Sequence, residues 1–173
     1  MLIRDAAPAD IPALTAIYAH HVLHGTGTFD ESPPDEAEMA AKLARIQRRG
    51  WAWLVAQAPD RSIIGHACFV PFRDRTGFRH CAEDSIYVRD DVRGQGVGKA
   101  LVQTLLDRAT AAGFRQMVAV IGDSENVGSI GLHVSLGFRQ IGVMKSVGLK
   151  FGRWVDVVIM QRSLGDGDRT VPR

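Results

Sequence analysis

The stretch Arg93-Gly94-Gln95-Gly96-Val97-Gly98-Lys99 decides how this chain is read. It follows Ser85-Ile86-Tyr87-Val88, which has strand character, and precedes Ala100-Leu101-Val102-Gln103-Thr104-Leu105-Leu106, which has helix character. Its three glycines remove the Cβ atoms that would hold a ligand off the backbone, and they permit positive φ. The helix behind them leaves its first amide N–H groups unpaired, next to the positive end of its dipole. A strand–loop–helix turn of this composition suits an anion, most often a phosphate.

Two common phosphate loops are excluded by mismatch. A nucleoside-triphosphate loop needs Gly, four residues, then Gly-Lys-Ser/Thr; the first glycine would fall at Arg93 and the hydroxyl at Ala100. A dinucleotide fingerprint begun at Gly94 needs glycine where Lys99 stands, and one begun at Gly96 needs it where Leu101 stands. What remains is Arg93-x-x-Gly96-x-Gly98.

The rest of the chain sets the frame. Its 173 residues, 46% hydrophobic, suit one domain with a sizeable core. A net charge of +2 from 21 basic and 19 acidic residues announces no broad nucleic-acid face. Arg45, Arg48 and Arg49 close a helical pattern, where cations complement the dipole. Cys68 and Cys81 lie in strand-like surroundings without metal-ligand spacing and read as reduced thiols. No apolar run approaches the ~20 residues that span a membrane. Met1 to Asp5 lacks the apolar core of a signal peptide, so a cytoplasmic location is expected. Residues 165–173 are small and charged without periodicity, and are expected to be a disordered tail after a domain of 1–164.

Periodicity gives the element order. Leu2 to Arg4 reads as a strand, and Asp10 is expected to cap a helix bearing Leu14, Ile17 and Tyr18 on one face. His20 to Phe29 breaks periodicity and is expected to be a loop. Its histidines His20, His21 and His24 lack acidic or Cys partners at ligand spacing, so they are read as packing or pocket-lining residues with no metal. Asp35 or Pro34 opens a second helix with Met39, Leu43 and Ile46. Strands are expected over Trp53–Gln57, Ile63–Val70 and Ala82–Val88, then a helix over Gly96–Ala112 and a strand over Gln116–Ile121. A helix over Val127–Leu136 and strands over Phe138–Val147 and Trp154–Gln161 complete a mixed α/β sheet in one domain.

A second segment joins the first. Arg93-x-x-Gly96-x-Gly98 and Asn126-Val127-Gly128-Ser129-Ile130-Gly131-Leu132-His133-Val134-Ser135-Leu136-Gly137-Phe138 together resemble the two signatures of the GNAT superfamily of N-acetyltransferases. The resemblance implies a single-domain GNAT fold, with a mixed central sheet whose strands four and five splay apart and helices on its flanks. It also implies acetyl-CoA as cosubstrate. Arg93, Gly94, Gln95, Gly96, Val97, Gly98 and Lys99 would hold the pyrophosphate. The pantetheine arm would lie along Ile86, Tyr87 and Val88, near Asn126 and Ser129.

Further stretches resemble the phosphinothricin and methionine sulfone N-acetyltransferase group: Tyr18 to His24, Gly77-Phe78-Arg79, Glu83 to Val88, Ser129 to His133, and Lys150 to Asp156. This implies direct acetylation of the α-amine of a small amino-acid analogue such as phosphinothricin, methionine sulfoximine or methionine sulfone, by a homodimer. In that group the position of Glu83 carries the general base. Read physically, an attacking amine must lose its proton, and a carboxylate raised by burial takes it. Asp84 competes, but strand alternation is expected to turn only one of the two into the cleft, and Glu83 is favoured.

His133 stands where many superfamily members have a tyrosine, and could protonate the leaving thiolate or share the base role. Arg73, Arg79 and Arg153 are candidates for an acceptor carboxylate or phosphinate, with Phe29, Phe72, Phe78 and Trp154 as apolar walls. The alternatives are the same fold acting on a protein N-terminus, polyamine or aminoglycoside, or a non-catalytic acyl-CoA sensor.

Overall fold

Trp53 to Ala56 is buried residue by residue, and its alternation shows how the domain is built. Trp53 and Val55 point to one side of the sheet, Leu54 and Ala56 to the other, and each side has its own apolar layer. A strand covered on both faces must read as a continuous apolar run. In the computed structural model, which describes residues 1–172, seven strands form one sheet in the order β1-β2-β3-β4-β5-β7-β6. These are β1 (Leu2–Asp5), β2 (Trp53–Gln57), β3 (Ile63–Pro71), β4 (Cys81–Val88), β5 (Gln116–Gly122), β6 (Arg139–Lys150) and β7 (Arg153–Ser163). Only β4 and β5 run parallel; every other pairing is antiparallel.

One layer carries α1 (Ile11–His24) and α2 (Glu36–Arg48), packing Leu14, Met39 and Ile46 against Trp53, Val55 and Cys68. The opposite layer carries α3 (Val97–Ala111) and α4 (Val127–Ser135), with Leu101, Leu105 and Phe114 against Leu54, Phe69 and Met117. α2 begins at a reciprocal cap: the Asp35 amide donates to Glu38 Oε2 at 2.9 Å, and the Glu38 amide to Asp35 Oδ1 at 2.8 Å. Its last turn holds Arg45 and Arg48. Cys68 and Cys81 are both free, the first buried and the second partly so.

Two local expectations are corrected. The expected loop from His20 is helix: α1 runs to His24 and ends only where Gly25 turns extended. Nothing between Ala19 and His24 breaks a helix, and His21 continues the face of Ile17 and Tyr18 at i+4 and i+3. Asp10 does precede α1, but its side chain caps nothing there. It grips Arg4 through two bonds of 2.7 and 2.8 Å and accepts the Ala7 amide at 2.8 Å, tying β1 to the helix start.

After Leu164, which is buried, residues 165–172 carry turns rather than helix or strand. Arg115 Nη1 reaches the Gly167 carbonyl at 3.4 Å and Thr170 Oγ1 at 3.1 Å. No helix among the described residues is long and apolar enough to cross a membrane.

Candidate active site

β4 pairs with β5 from Cys81 opposite Gln116 to Asp84 opposite Ala119, and beyond Asp84 the two strands part. Ser85 to Val88 keeps its bonds to β3 on one edge and opens the other to a cleft of about 930 Å³. Of the residues singled out in the sequence, Glu83, Ile86, Tyr87, Val88, Arg93, Gly94, Gly96, Val97, Gly98, Lys99, Asn126, Ser129, His133 and Phe29 line this cleft. Gln95 does not; its amide nitrogen turns back to the Asp91 carbonyl at 3.4 Å.

The glycine loop has the backbone its sequence calls for. Gly94 and Gly96 have φ of +76° and +81°, and no atom lies within 4 Å of where either Cβ would stand. The loop thus faces open space with bare backbone, and side chains there would be strained. Val97, 3% exposed, pins the start of α3, so the amides at the helix N-terminus are aimed outward beside the loop. Arg93 sits in the loop, bonded at 2.6 Å to Asp90, which also accepts His20 Nε2 at 2.8 Å. His21 donates through Nε2 to the Val88 carbonyl at 2.9 Å, so the reshaped end of α1 braces the end of β4. Burial holds the His21 imidazole below its ordinary pKa, which suits a neutral donor. His20, His21 and His24 all line the cleft.

Across the fork, α4 begins at Asn126, whose Oδ1 accepts the Ser129 amide at 3.2 Å. Its Nδ2 reaches the Gly122 carbonyl at 3.4 Å. Gly98 approaches α4 closely; a Cβ there would stand 3.2 Å from Leu132 Cδ2.

Glu83 and Asp84 both reach the cleft, but from opposite faces of β4. Asp84 lies opposite Phe69, in the α3–α4 layer; Glu83 lies opposite Val70, on the α1–α2 side. The expectation that only one would reach the cleft fails because both stand at the point where β4 and β5 part, and the cleft reaches both faces of the sheet there. Burial raises the Glu83 carboxyl above its ordinary pKa; Arg73 pulls it partly back, and the neighbouring Asp84 charge adds to the rise. Asp84 is tied down instead, with Oδ2 3.0 Å from His133 Nε2. Burial would lower the His133 pKa, but the hydrogen bond and charge of Asp84, with the Ser129 carbonyl on Nδ1 at 2.8 Å, outweigh it and raise it.

The loop after α1 roofs the cleft and is fastened at several points. Thr26 Oγ1 donates to Asp123 Oδ2 at 3.1 Å, and Lys150 Nζ donates to the Thr28 carbonyl at 2.7 Å from a buried position. Tyr18 links Thr28 Oγ1 at 2.9 Å and Asp30 at 2.7 Å, and burial pushes its phenol up to about 12. Phe29 lies on Gly148, where a Cβ would stand 2.0 Å from its ring.

The acceptor candidates are not all gathered. Arg73, Phe72, Phe78, Arg79, Arg153 and Trp154 lie outside the cleft's lining. Arg153 is held by Asp123, Arg79 by the Thr76 carbonyl at 3.1 Å, and Arg73 stacks on Phe72 at 4.0 Å. Sequence reading missed the roof anchors Tyr18, Thr28, Lys150 and Asp123, and the partnership of Asp84 with His133. No local signal marks the pairings of Lys150 with Thr28, Thr26 with Asp123 or Asp84 with His133, which span 122, 97 and 49 residues.

These residues fit coenzyme A: a bare phosphate loop at a helix start and an unpaired strand edge for an amide-bearing arm, both lining one cleft of about 930 Å³. Among the described residues, no group of His, Cys, Asp and Glu side chains could hold a metal ion.

Residues 15–138 match the acetyltransferase (GNAT) family. The chain is 48% identical to a phosphinothricin N-acetyltransferase of Alcaligenes faecalis, over 98% of this chain and 86% of that protein. It is 45% identical to an L-methionine sulfoximine/L-methionine sulfone acetyltransferase of Pseudomonas aeruginosa, over 98% of each. Among solved structures, a phosphinothricin acetyltransferase of Sinorhizobium meliloti in complex with acetyl-CoA superposes with a TM-score of 0.96 at 46% identity, covering 99% of this chain and 92% of that one. The chain therefore belongs to the acetyltransferase (GNAT) family and is an N-acetyltransferase.

Proposed function

We propose that this enzyme acetylates the α-amine of a small amino-acid analogue of the phosphinothricin, methionine sulfoximine or methionine sulfone type, by direct transfer from acetyl-CoA. The thioester of acetyl-CoA supplies an activated acetyl group and a thiolate leaving group. The observation that carries the reading is Glu83: a carboxylate at the mouth of the β4–β5 fork, raised by burial and facing away from the α4 side. In that place it takes a proton from the incoming ammonium and frees the lone pair for attack.

The chain's other groups position the donor. The amides after Gly96 meet the pyrophosphate, the open edge of Ile86 to Val88 aligns the pantetheine amides, and the roof over Thr26 to Thr28 limits water. Arg73 lies close enough to Glu83 to lower its pKa, from a position stacked on Phe72 outside the cleft lining. A proton donor role for His133 toward the thiolate is not supported by its bonds, since both ring nitrogens are engaged. In this reading the second proton that the nitrogen sheds after attack passes through water to the departing thiolate, and Glu83 returns its own proton to solvent.

We also read the enzyme as a cytoplasmic homodimer. Ile141, Met144, Val147, Leu149 and Trp154 leave an apolar surface on β6 and β7, suited to a second copy. The acceptor is tested by thiol release from acetyl-CoA with phosphinothricin, methionine sulfoximine and methionine sulfone, against a polyamine and an aminoglycoside. Release with at least one of the first three is expected, and release with only the latter two would overturn the reading.

A further inference from the structure

α4 spans nine residues, yet only one of them, His133, is buried. Ile130 and Leu132 pack against the core only in part, so the deepest anchor of the helix that begins at the cleft is an imidazole, whose partner is Asp84, the last residue of β4 paired with β5. The Ser129 carbonyl is an acceptor only, so Nδ1 of His133 carries a proton. The contact from Nε2 to Asp84 Oδ2 then needs one more, held either as imidazolium with carboxylate or as imidazole with carboxylic acid. An unprotonated Nε2 facing a carboxylate would be repelled.

The bonds continue beyond the pair. Asp84 Oδ2 meets His133 Nε2 at 3.0 Å, His133 Nδ1 meets the Ser129 carbonyl at 2.8 Å, and the Ser129 amide donates to Asn126 Oδ1 at 3.2 Å. A chain of hydrogen bonds therefore runs from the fork of the sheet to the residue that caps α4 and lines the cleft.

We propose that Asp84 is a positioning residue for acetyl-CoA, acting through His133 and Ser129 to hold Asn126 and the start of α4 against the open edge of β4. The proposal rests on the reading that this end of α4 binds the donor. Asp84 faces the α4 side of the sheet and Glu83 the other, so adjacent carboxylates divide the work: one sets the donor, the other serves the acceptor.

The experiment is steady-state kinetics with methionine sulfone on the full chain, varying acetyl-CoA, for wild type, Asp84→Ala, Asp84→Asn and Asn126→Ala. Asp84→Ala is expected to raise KM for acetyl-CoA roughly tenfold, with kcat changed far less, as for a lost hydrogen bond to a charged group. In Asp84→Asn the amide N–H donates to a neutral Nε2, so the chain stays intact and KM stays near wild type. Asn126→Ala reports on the underlying reading and is expected to raise the same KM. A normal KM in Asp84→Ala beside a raised one in Asn126→Ala would overturn the positioning role alone. Normal values in both would overturn the donor site on α4. An Asp84→Asn variant with normal KM but abolished kcat would make Asp84 a proton carrier, which also contradicts the proposal. If Asp84→Ala does not fold, the double variant Asp84→Leu/His133→Leu fills the space without charge. Folded by circular dichroism, it should show the raised KM, and a wild-type KM would overturn the proposal.

Discussion

The Thr26 carbonyl oxygen lies so close over Gly122 that a Cβ built there would stand 2.0 Å from it. Gly122 ends β5, and Thr26 begins the roof of the cleft, so glycine is what lets the two meet. Gly122→Ala should lower stability by about 1–3 kcal/mol through overpacking and depress kcat/KM by lifting the roof. Thermal unfolding and kinetics on the same preparation check this; unchanged activity would mean that the loop does not shape the site.

Arg73 sets the working range of Glu83. The base must be unprotonated, so activity falls as pH drops through its raised pKa. Arg73 opposes that rise, and Arg73→Ala should therefore move the acid limb of the kcat/KM profile to higher pH. A limb that stays in place would separate the two residues electrostatically.

Asp10 and Arg4 give the fold an acid-sensitive joint. The Arg4 hydrogen bonds hold the Asp10 carboxyl below its ordinary pKa, against the opposing effect of burial. A depressed folded pKa contributes stability above the unfolded value and loses it as pH falls through the folded one. Asp10→Asn should cost about 1–3 kcal/mol at neutral pH, with the gap closing below about pH 4. Urea titrations at both pH values measure it.

The exposed face of β6 and β7 should be where copies meet. Trp154, 64% exposed, stands in it, and Trp154→Glu should convert a sedimenting dimer to monomer. A wild-type chain that sediments as monomer would remove this interface from the account.

Much of the fold was legible because its signals are local. Gly94 and Gly96 demand positive φ, the apolar run of β5 requires burial on both faces, and Asp35 with Glu38 forms a cap within four residues. The end of α1 is hard to read because three histidines in five residues, His20, His21 and His24, obscure an unbroken helical phase. The site was half legible. Its donor side lies in two short motifs, whereas the Asp84–His133 pair spans 49 residues and the Lys150–Thr28 bond 122. Such contacts exist only once the sheet order is set. Arg153 looked free for an acceptor in sequence, but Asp123, turned inward with φ of 75°, claims it.

The central claim is that Glu83 frees the acceptor amine for direct attack on acetyl-CoA. Its most direct test is the pH profile of thiol release with methionine sulfone for wild type and Glu83→Gln at equal folded concentration. The account predicts a loss of about 10²- to 10⁴-fold at neutral pH in Glu83→Gln, with recovery as alkaline pH deprotonates the amine without help. A Glu83→Gln enzyme that keeps wild-type rate and acid limb would contradict it.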